Sequence, residues 1–182
     1  MDVFVRTYSQ AASPLRTIMF ELVAERLAGI PGIRVTTIFG RGKDFHRSSK
    51  IDAELKTQSE IYCVMDDDQL PIRDDFFEQG AQALANHPEY GMLAGFPMEY
   101  CFHGQPFAPS YFNENLEVIE GHSIGCPYFV RKGTLDFPEG SLRQYDGILS
   151  KVVTDQGLKT GFARKCLYNH LGYGFSQVEH AS

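Results

Sequence analysis

Tryptophan is missing from this 182-residue chain, and its four cysteines stand far apart. Cys63, Cys101, Cys126 and Cys166 form no Cys-x-x-Cys pair, a spacing that does not suggest zinc. Cys63 lies within an apolar run and reads as a small buried hydrophobe. Basic residues are outnumbered, 17 Lys and Arg against 23 Asp and Glu, for a net charge of -6. That balance argues against nucleic acid as a partner, since such binders usually carry a basic face. No apolar run reaches the ~18 residues of a membrane span, and the first residues, MDVFVRTYSQ, lack a signal-peptide pattern. Together these absences lead us to expect a soluble, cytoplasmic protein without an integral membrane segment. With no low-complexity tract, internal repeat or linker, residues 1–182 are expected to form one domain.

What is present is an alternation of strands and helices. Val3–Thr7 reads as a strand. Ser13 and Pro14 read as the N-cap and first position of a helix, in which Leu15, Ile18, Met19, Leu22, Val23 and Leu27 recur at helical spacing before Gly29. A second strand follows at Ile33–Phe39, then a glycine-rich basic loop and a short helix at Ile51–Leu55. A third strand covers Ile61–Met65, a helix follows Pro71, and Gly91–Gly95 forms a fourth strand. This order predicts a mainly parallel sheet with helices on both faces, where ligands bind outside the carboxyl ends of the strands. From Phe96 to Asn115 the chain is rich in Pro, Gly and aromatic residues. Beyond it come strands at Leu116–Gly121 and Pro127–Gly133, a helix over 140–157, and a closing strand and loop over 159–174.

The third strand runs straight into Asp66, Asp67 and Asp68. Like charges ~4 Å apart repel by about 1 kcal/mol in water and ~4 kcal/mol at an effective dielectric of 20. Such a cluster is tolerated if it fans into solvent and is useful if a cation sits on it. An extended chain points Asp66 and Asp68 the same way and Asp67 oppositely. Hard divalent cations prefer carboxylate oxygens, and Mg2+ commonly takes one or two of them plus substrate phosphates. A solvated acidic turn capping the next helix is the plainer reading; the strand-end position favours the metal.

The stretch IYCVMDDDQLP resembles the DxD signature of nucleotide-sugar-dependent glycosyltransferases with the GT-A fold, especially the large inverting, synthase-like family. The resemblance implies a Rossmann-like, three-layer α/β/α sandwich with a mainly parallel sheet and a small antiparallel addition. Residues 1–95 would form its nucleotide-binding half and 96–182 its acceptor-binding half. It implies Mn2+- or Mg2+-dependent transfer of a sugar from a nucleotide-diphosphate sugar to a glycan or other hydroxyl acceptor, with inversion. Asp68 would bind the metal, Asp66 would lie near ribose or metal, and His170 would be a further metal ligand. VFVRTYSQ resembles the first strand and loop of the family, which sets Arg6, Thr7 and Tyr8 against base or phosphate. HRSSKIDAELK resembles the segment before the DxD strand, giving Arg47 and Lys50 to phosphate; Asp67 joins the donor contacts.

GHSIGCPYFVRKG resembles the stretch that positions acceptor and donor sugar, and LRQYDGILSKVVTDQGLKTGF the later helix that carries the catalytic base, here Asp146. A carboxylate suits that role, because the acceptor hydroxyl must lose its proton as it attacks the anomeric carbon. Each assignment has a plainer counterpart: a solvated surface charge for Arg47 or Lys50, an exposed helical aspartate for Asp146, a packing or surface histidine for His170.

One departure from the family concerns the nucleobase. The second strand runs into Phe39, Gly40 and Arg41 where many members have an acidic residue, which leaves Arg41 or Lys43 to contact the nucleotide. A haloacid-dehalogenase-like phosphatase would need Thr or Val after its Asp-x-Asp, at the end of a first strand; here Gln69 and Leu70 follow a third. A nucleotidyltransferase is closer, but VFVRTYSQAASP lacks its usual glycine-rich phosphate loop. An inactive sugar-nucleotide- or glycan-binding domain would keep the pocket and leave Asp146 idle.

Overall fold

The computed structural model describes residues 1–8, 14–40, 45–98, 113–122, 125–135 and 146–172. Its elements are β1 (Asp2–Tyr8), α1 (Pro14–Ala28), β2 (Arg34–Gly40), α2 (Phe45–Lys56), β3 (Ile61–Asp66) and β4 (Gln69–Pro71). There follow α3 (Phe76–Asn86), β5 (Tyr90–Pro97), β6 (Val118–Glu120), β7 (Tyr128–Arg131), α4 (Asp146–Thr154) and β8 (Lys159–His170).

Successive side chains of a strand point to opposite faces, and here the two sets feed separate cores. Phe4, Tyr62, Val64, Met92, Ala94, Tyr128 and Val130 pack with Ala53 of α2 and with Leu149 and Val153 of α4. Their neighbours Val3, Val5, Cys63, Met65, Leu93 and Phe129 pack with Val23 and Leu27 of α1 and with Phe76, Phe77 and Leu84 of α3. The result is the expected α/β/α sandwich. Gly80 explains how closely α3 approaches: a Cβ there would run into the Phe129 ring. Glycine inside a helix costs ~1 kcal/mol relative to alanine, offset here by that ring contact.

The sheet order is β2-β1-β3-β7-β5-β8-β4, with β6 also paired to β8. β1 is parallel to β2 and β3, and β5 is parallel to β8. β7 runs antiparallel between β3 and β5, while β4 and β6 run antiparallel to β8. Five strands (β2, β1, β3, β5 and β8) therefore share one direction, and the sheet is mainly parallel with an antiparallel addition.

Several local expectations shift. The antiparallel strand β7 enters the middle of the sheet, between the third and fourth parallel strands, where the apolar Tyr128, Phe129 and Val130 are all buried. α2 begins at Phe45, well before Ile51; its first turns are largely polar and present no apolar period by which the sequence could reveal them. α3 begins at Phe76 rather than just after Pro71, since Gln69–Pro71 form the short strand β4. The proposed cap Ser13 and the start of the helix expected over 140–157 lie outside the described residues. Among the described residues no helix is long and apolar enough to cross a membrane.

Candidate active site at the carboxyl edge of the sheet

β1, β3 and β8 run in the same direction and end at Tyr8, Asp66 and His170. After Asp66 the extended chain stops. Asp67 and Asp68 make a tight turn and the chain re-enters the sheet at Gln69. Strand alternation therefore does not reach Asp68, and the three carboxylates diverge.

Each finds its own surroundings. Arg6 Nη2, from the neighbouring position on β1, donates to Asp66 Oδ1 at 2.5 Å. Asp67 accepts from Thr7 Oγ1 at 2.6 Å and from Arg16 Nη1 of α1 at 2.9 Å. Asp68 Oδ2 faces His170 Nε2 at 3.3 Å. Its other oxygen, Oδ1, is buried and has no hydrogen-bond partner among the described residues. The mutual repulsion of the triplet is thus met by two guanidinium groups, a hydroxyl and an imidazole.

Asp67 is 1% exposed. Burial pushes its carboxyl above the usual range, with Asp68 and Asp66 adding to the rise and Thr7 and Arg16 opposing it. Its contacts tie the turn to both β1 and α1, so it holds the β3–β4 turn in place.

The turn is also locked to the end of β8. His170 is the last residue of that strand, opposite Gln69, rather than lying past it. The Leu171 amide donates to the Asp68 carbonyl at 2.7 Å. Gly172 lies so close that a Cβ would crowd Asp68 Oδ2. Gln69, 3% exposed, spans the site: Oε1 accepts from the Asp66 amide at 2.8 Å and Nε2 donates to the Cys126 carbonyl at 2.7 Å. That carbonyl also accepts from Tyr168 Oη at 3.2 Å, and Arg6 Nη2 donates to Cys126 Sγ at 3.0 Å. Arg16, Gln69 and Cys126 were not signalled by the sequence. A glutamine following three aspartates was the one local hint, because an amide can satisfy a backbone N–H and a carbonyl at once.

The remaining expected residues divide. Tyr8 ends β1 opposite Gly40, and Arg47 lies in the first turn of α2; their side chains are outside the described set. Lys50 is fully buried on α2, so it is not a solvated surface charge. Asp146 is the first residue of α4, and its side chain is likewise outside the described set. Its backbone can still be placed. A Cβ on Gly91, near the start of β5, would meet Val153, which puts the last turn of α4 at the amino edge. Asp146 begins that helix, ~10 Å away along its axis.

Among the described residues no group of three or more His, Cys, Asp or Glu converges. Asp68 and His170 form a two-residue donor pair, and the unpartnered Asp68 Oδ1 is an oxygen such as a hard cation takes. Asp66 Oδ1 is already engaged by Arg6.

No family model and no curated protein matches the sequence, whereas 49 chains of solved structures match the fold. One is the mannosyltransferase PcManGT from Pyrobaculum calidifontis in complex with GDP-Man and Mn2+, at TM-score 0.59 and 13% identity over 93% of this chain and 56% of that one. S. aureus TarS is similar at TM-score 0.61 and 13% identity, over 92% of this chain and 36% of that one. CMP:2-keto-3-deoxy-manno-octonic acid synthetase, complexed with CTP, is similar at TM-score 0.54 and 12% identity, over 100% of this chain and 97% of that one. The chain thus spans little more than half of the mannosyltransferase and about a third of TarS. At such identities the likeness is one of fold, a Rossmann-like α/β fold shared with these proteins.

Proposed function

We propose that this chain is a metal-dependent glycosyltransferase domain that moves a sugar from a nucleotide-diphosphate sugar to a glycan or other hydroxyl acceptor, inverting the anomeric centre. The observation that carries the reading is the Asp68–His170 pair at the carboxyl edge, with Asp68 Oδ1 buried and lacking a partner among the described residues. The carboxylate suits either Mn2+ or Mg2+ and the imidazole favours Mn2+, with the donor's phosphate oxygens to supply remaining positions. When bound, such an ion neutralises charge developing on the leaving diphosphate.

The chain's own groups do the rest. Asp66, oriented by Arg6, offers its other carboxylate oxygen to a ribose hydroxyl or to the metal. Asp67 acts by holding the turn against Thr7 and Arg16. Tyr8 and Arg47 are the proposed contacts to nucleoside and phosphate, whereas Arg6, Thr7 and Lys50, expected there from the sequence, are buried and act from within the fold. Asp146 takes the proton of the acceptor hydroxyl as it attacks the anomeric carbon. The decisive experiment is a melting-temperature panel with Mn2+ and UDP-, GDP-, dTDP- and CMP-sugars, followed by detection of released nucleotide. A true donor raises the melting point with concentration; no response to any of them sinks the proposal.

A second reading, nucleotidyl transfer, is favoured by the synthetase, which is matched along nearly its whole length. The products separate the two. A nucleotidyltransferase releases pyrophosphate from a nucleoside triphosphate, whereas a glycosyltransferase releases nucleotide from a sugar nucleotide.

A further inference from the structure

The ladder between β3 and β7 ends just before the acidic turn. It runs from Ile61 opposite Arg131 to Val64 opposite Tyr128. Carried two residues further, the same register sets Asp66 opposite Cys126. The intervening Pro127 has no N–H to offer, and its carbonyl accepts from the Gly95 amide of β5 at 2.7 Å. Hydrogen-bonding groups of successive residues point to alternate sides of a strand, so the Cys126 carbonyl turns toward β3. Between it and Asp66 lies the side chain of Gln69. Oε1 accepts from the Asp66 amide at 2.8 Å, and Nε2 donates to the Cys126 carbonyl at 2.7 Å.

A carboxamide carries both the donor and the acceptor of a peptide group. Gln69 thus adds one rung to the β3–β7 ladder through its side chain, past the last backbone pair. Its backbone meanwhile pairs with His170 of β8, and Asp68 immediately precedes it. One residue therefore ties together the end of β3, the segment leading into β7 and the strand that carries the imidazole. The 3.3 Å approach of Asp68 Oδ2 to His170 Nε2 depends on where Gln69 sits. At 3% exposed, Gln69 is held inside the fold rather than presented to a ligand. Its part is to place other groups.

We propose that Gln69 is a positioning residue for the metal site: its carboxamide rung fixes the β3–β4 turn so that Asp68 and His170 face one cation together. This rests on the reading of that pair as a metal site. Groups that orient metal ligands contribute about 10- to 100-fold to metal affinity. Methionine has nearly the length of glutamine but lacks an amide N–H and a carbonyl. Gln69→Met therefore removes the rung and keeps the volume.

The test is Mn2+ affinity, measured by electron paramagnetic resonance well below the melting temperature, for wild type, Gln69→Met and Gly80→Ala. Gly80 packs against Phe129, so its variant reports a loss of stability alone. We expect Gln69→Met to bind Mn2+ about 10- to 100-fold more weakly than wild type, and Gly80→Ala to bind as wild type does. Equal affinity in wild type and Gln69→Met overturns the proposal and leaves the metal reading standing. Equal weakening in Gly80→Ala assigns the loss to stability and overturns it as well. No Mn2+ binding by wild type overturns the metal reading, and this proposal with it. A second measurement needs neither metal nor variant. In EDTA, nuclear magnetic resonance should find slow solvent exchange at the Asp66 amide and at one side-chain amide proton of Gln69. Rapid exchange at either shows that the rung is not formed and overturns the proposal, even if Gln69→Met fails to fold.

Discussion

Asp68 Oδ2 lies 3.3 Å from His170 Nε2, although one residue sits in the β3–β4 turn and the other ends the last described strand. Antiparallel pairing of Gln69 with His170 brings them together. Either substitution, Asp68→Asn or His170→Ala, is expected to abolish a Mn2+-dependent rise in melting temperature while leaving the metal-free melting point nearly unchanged. Far-UV circular dichroism with and without Mn2+ checks both halves of the statement. An undiminished Mn2+ response in both variants would remove the pair from the metal site.

Asp67 is expected to behave differently from its neighbours. Replacement by alanine removes the shared partner of Thr7 and Arg16 inside the fold. The cost is about 3 kcal/mol, read by urea unfolding. Asp67→Asn keeps an acceptor for the Thr7 hydroxyl and should cost clearly less. Equal costs for the two variants would show that hydrogen bonding to Thr7 is not what matters there.

For Asp146, the prediction separates binding from chemistry. Asp146→Asn should bind the donor as wild type does and lose transfer by about 10²- to 10⁴-fold, the usual contribution of a positioned general base. Donor binding is measured by calorimetry and transfer by nucleotide release. Unchanged transfer in this variant discards the base assignment.

Packing at Gly80 offers a test of the fold alone. Gly80→Ala improves helix propensity but pushes a methyl group into the Phe129 ring. Overpacking of this kind costs about 1–3 kcal/mol, so the variant should be destabilised despite the better helix former. A stabilised variant in chemical denaturation would contradict the close approach of α3 to β7.

Acid stability should depend on Asp2. Its side chain accepts from the Gln58 and Ser59 amides, the Thr57 hydroxyl and Arg34. Burial pushes its carboxyl up, but the Gln58 amide, Thr57, Arg34 and Ser59 outweigh burial and bring the pKa from 3.8 to about 2. A carboxylate depressed in the fold stabilises above its unfolded pKa, and that stability is lost as pH falls through the folded value. Asp2 therefore contributes about 2 kcal/mol at neutral pH, declining below pH ~4 and gone near pH ~2. Asp2→Asn should be weaker than wild type at pH 7, with the gap closing on acidification. A gap that is constant across that range would show the carboxylate's charge to be irrelevant.

Much of the scaffold was legible because it is written in local periodicity. Ile61–Met65 is continuously apolar because both faces of β3 are covered, and Met19, Val23 and Leu27 recur at helical spacing because their side of α1 is buried, whereas Leu15, Ile18 and Leu22 of the same expected stripe are exposed. The acidic turn was legible as a strand-end feature for the same reason. β4 was not, since three residues carry no period, and neither was the length of α2, whose early turns are polar.

The sequence by itself determined the alternation of strands and helices, the two-sided character of the central strands and the position of Asp66, Asp67 and Asp68 where β3 ends. Only the tertiary structure decided that β7 enters the middle of the sheet, that the triplet splays rather than alternates, and that Arg6, Arg16 and His170 each meet a different carboxylate. The physical reason is that periodicity and turn chemistry act between near neighbours in the chain. Which side chain answers a buried charge is settled by strand register between distant segments, and here the pairing of Gln69 with His170 settled it for Asp68.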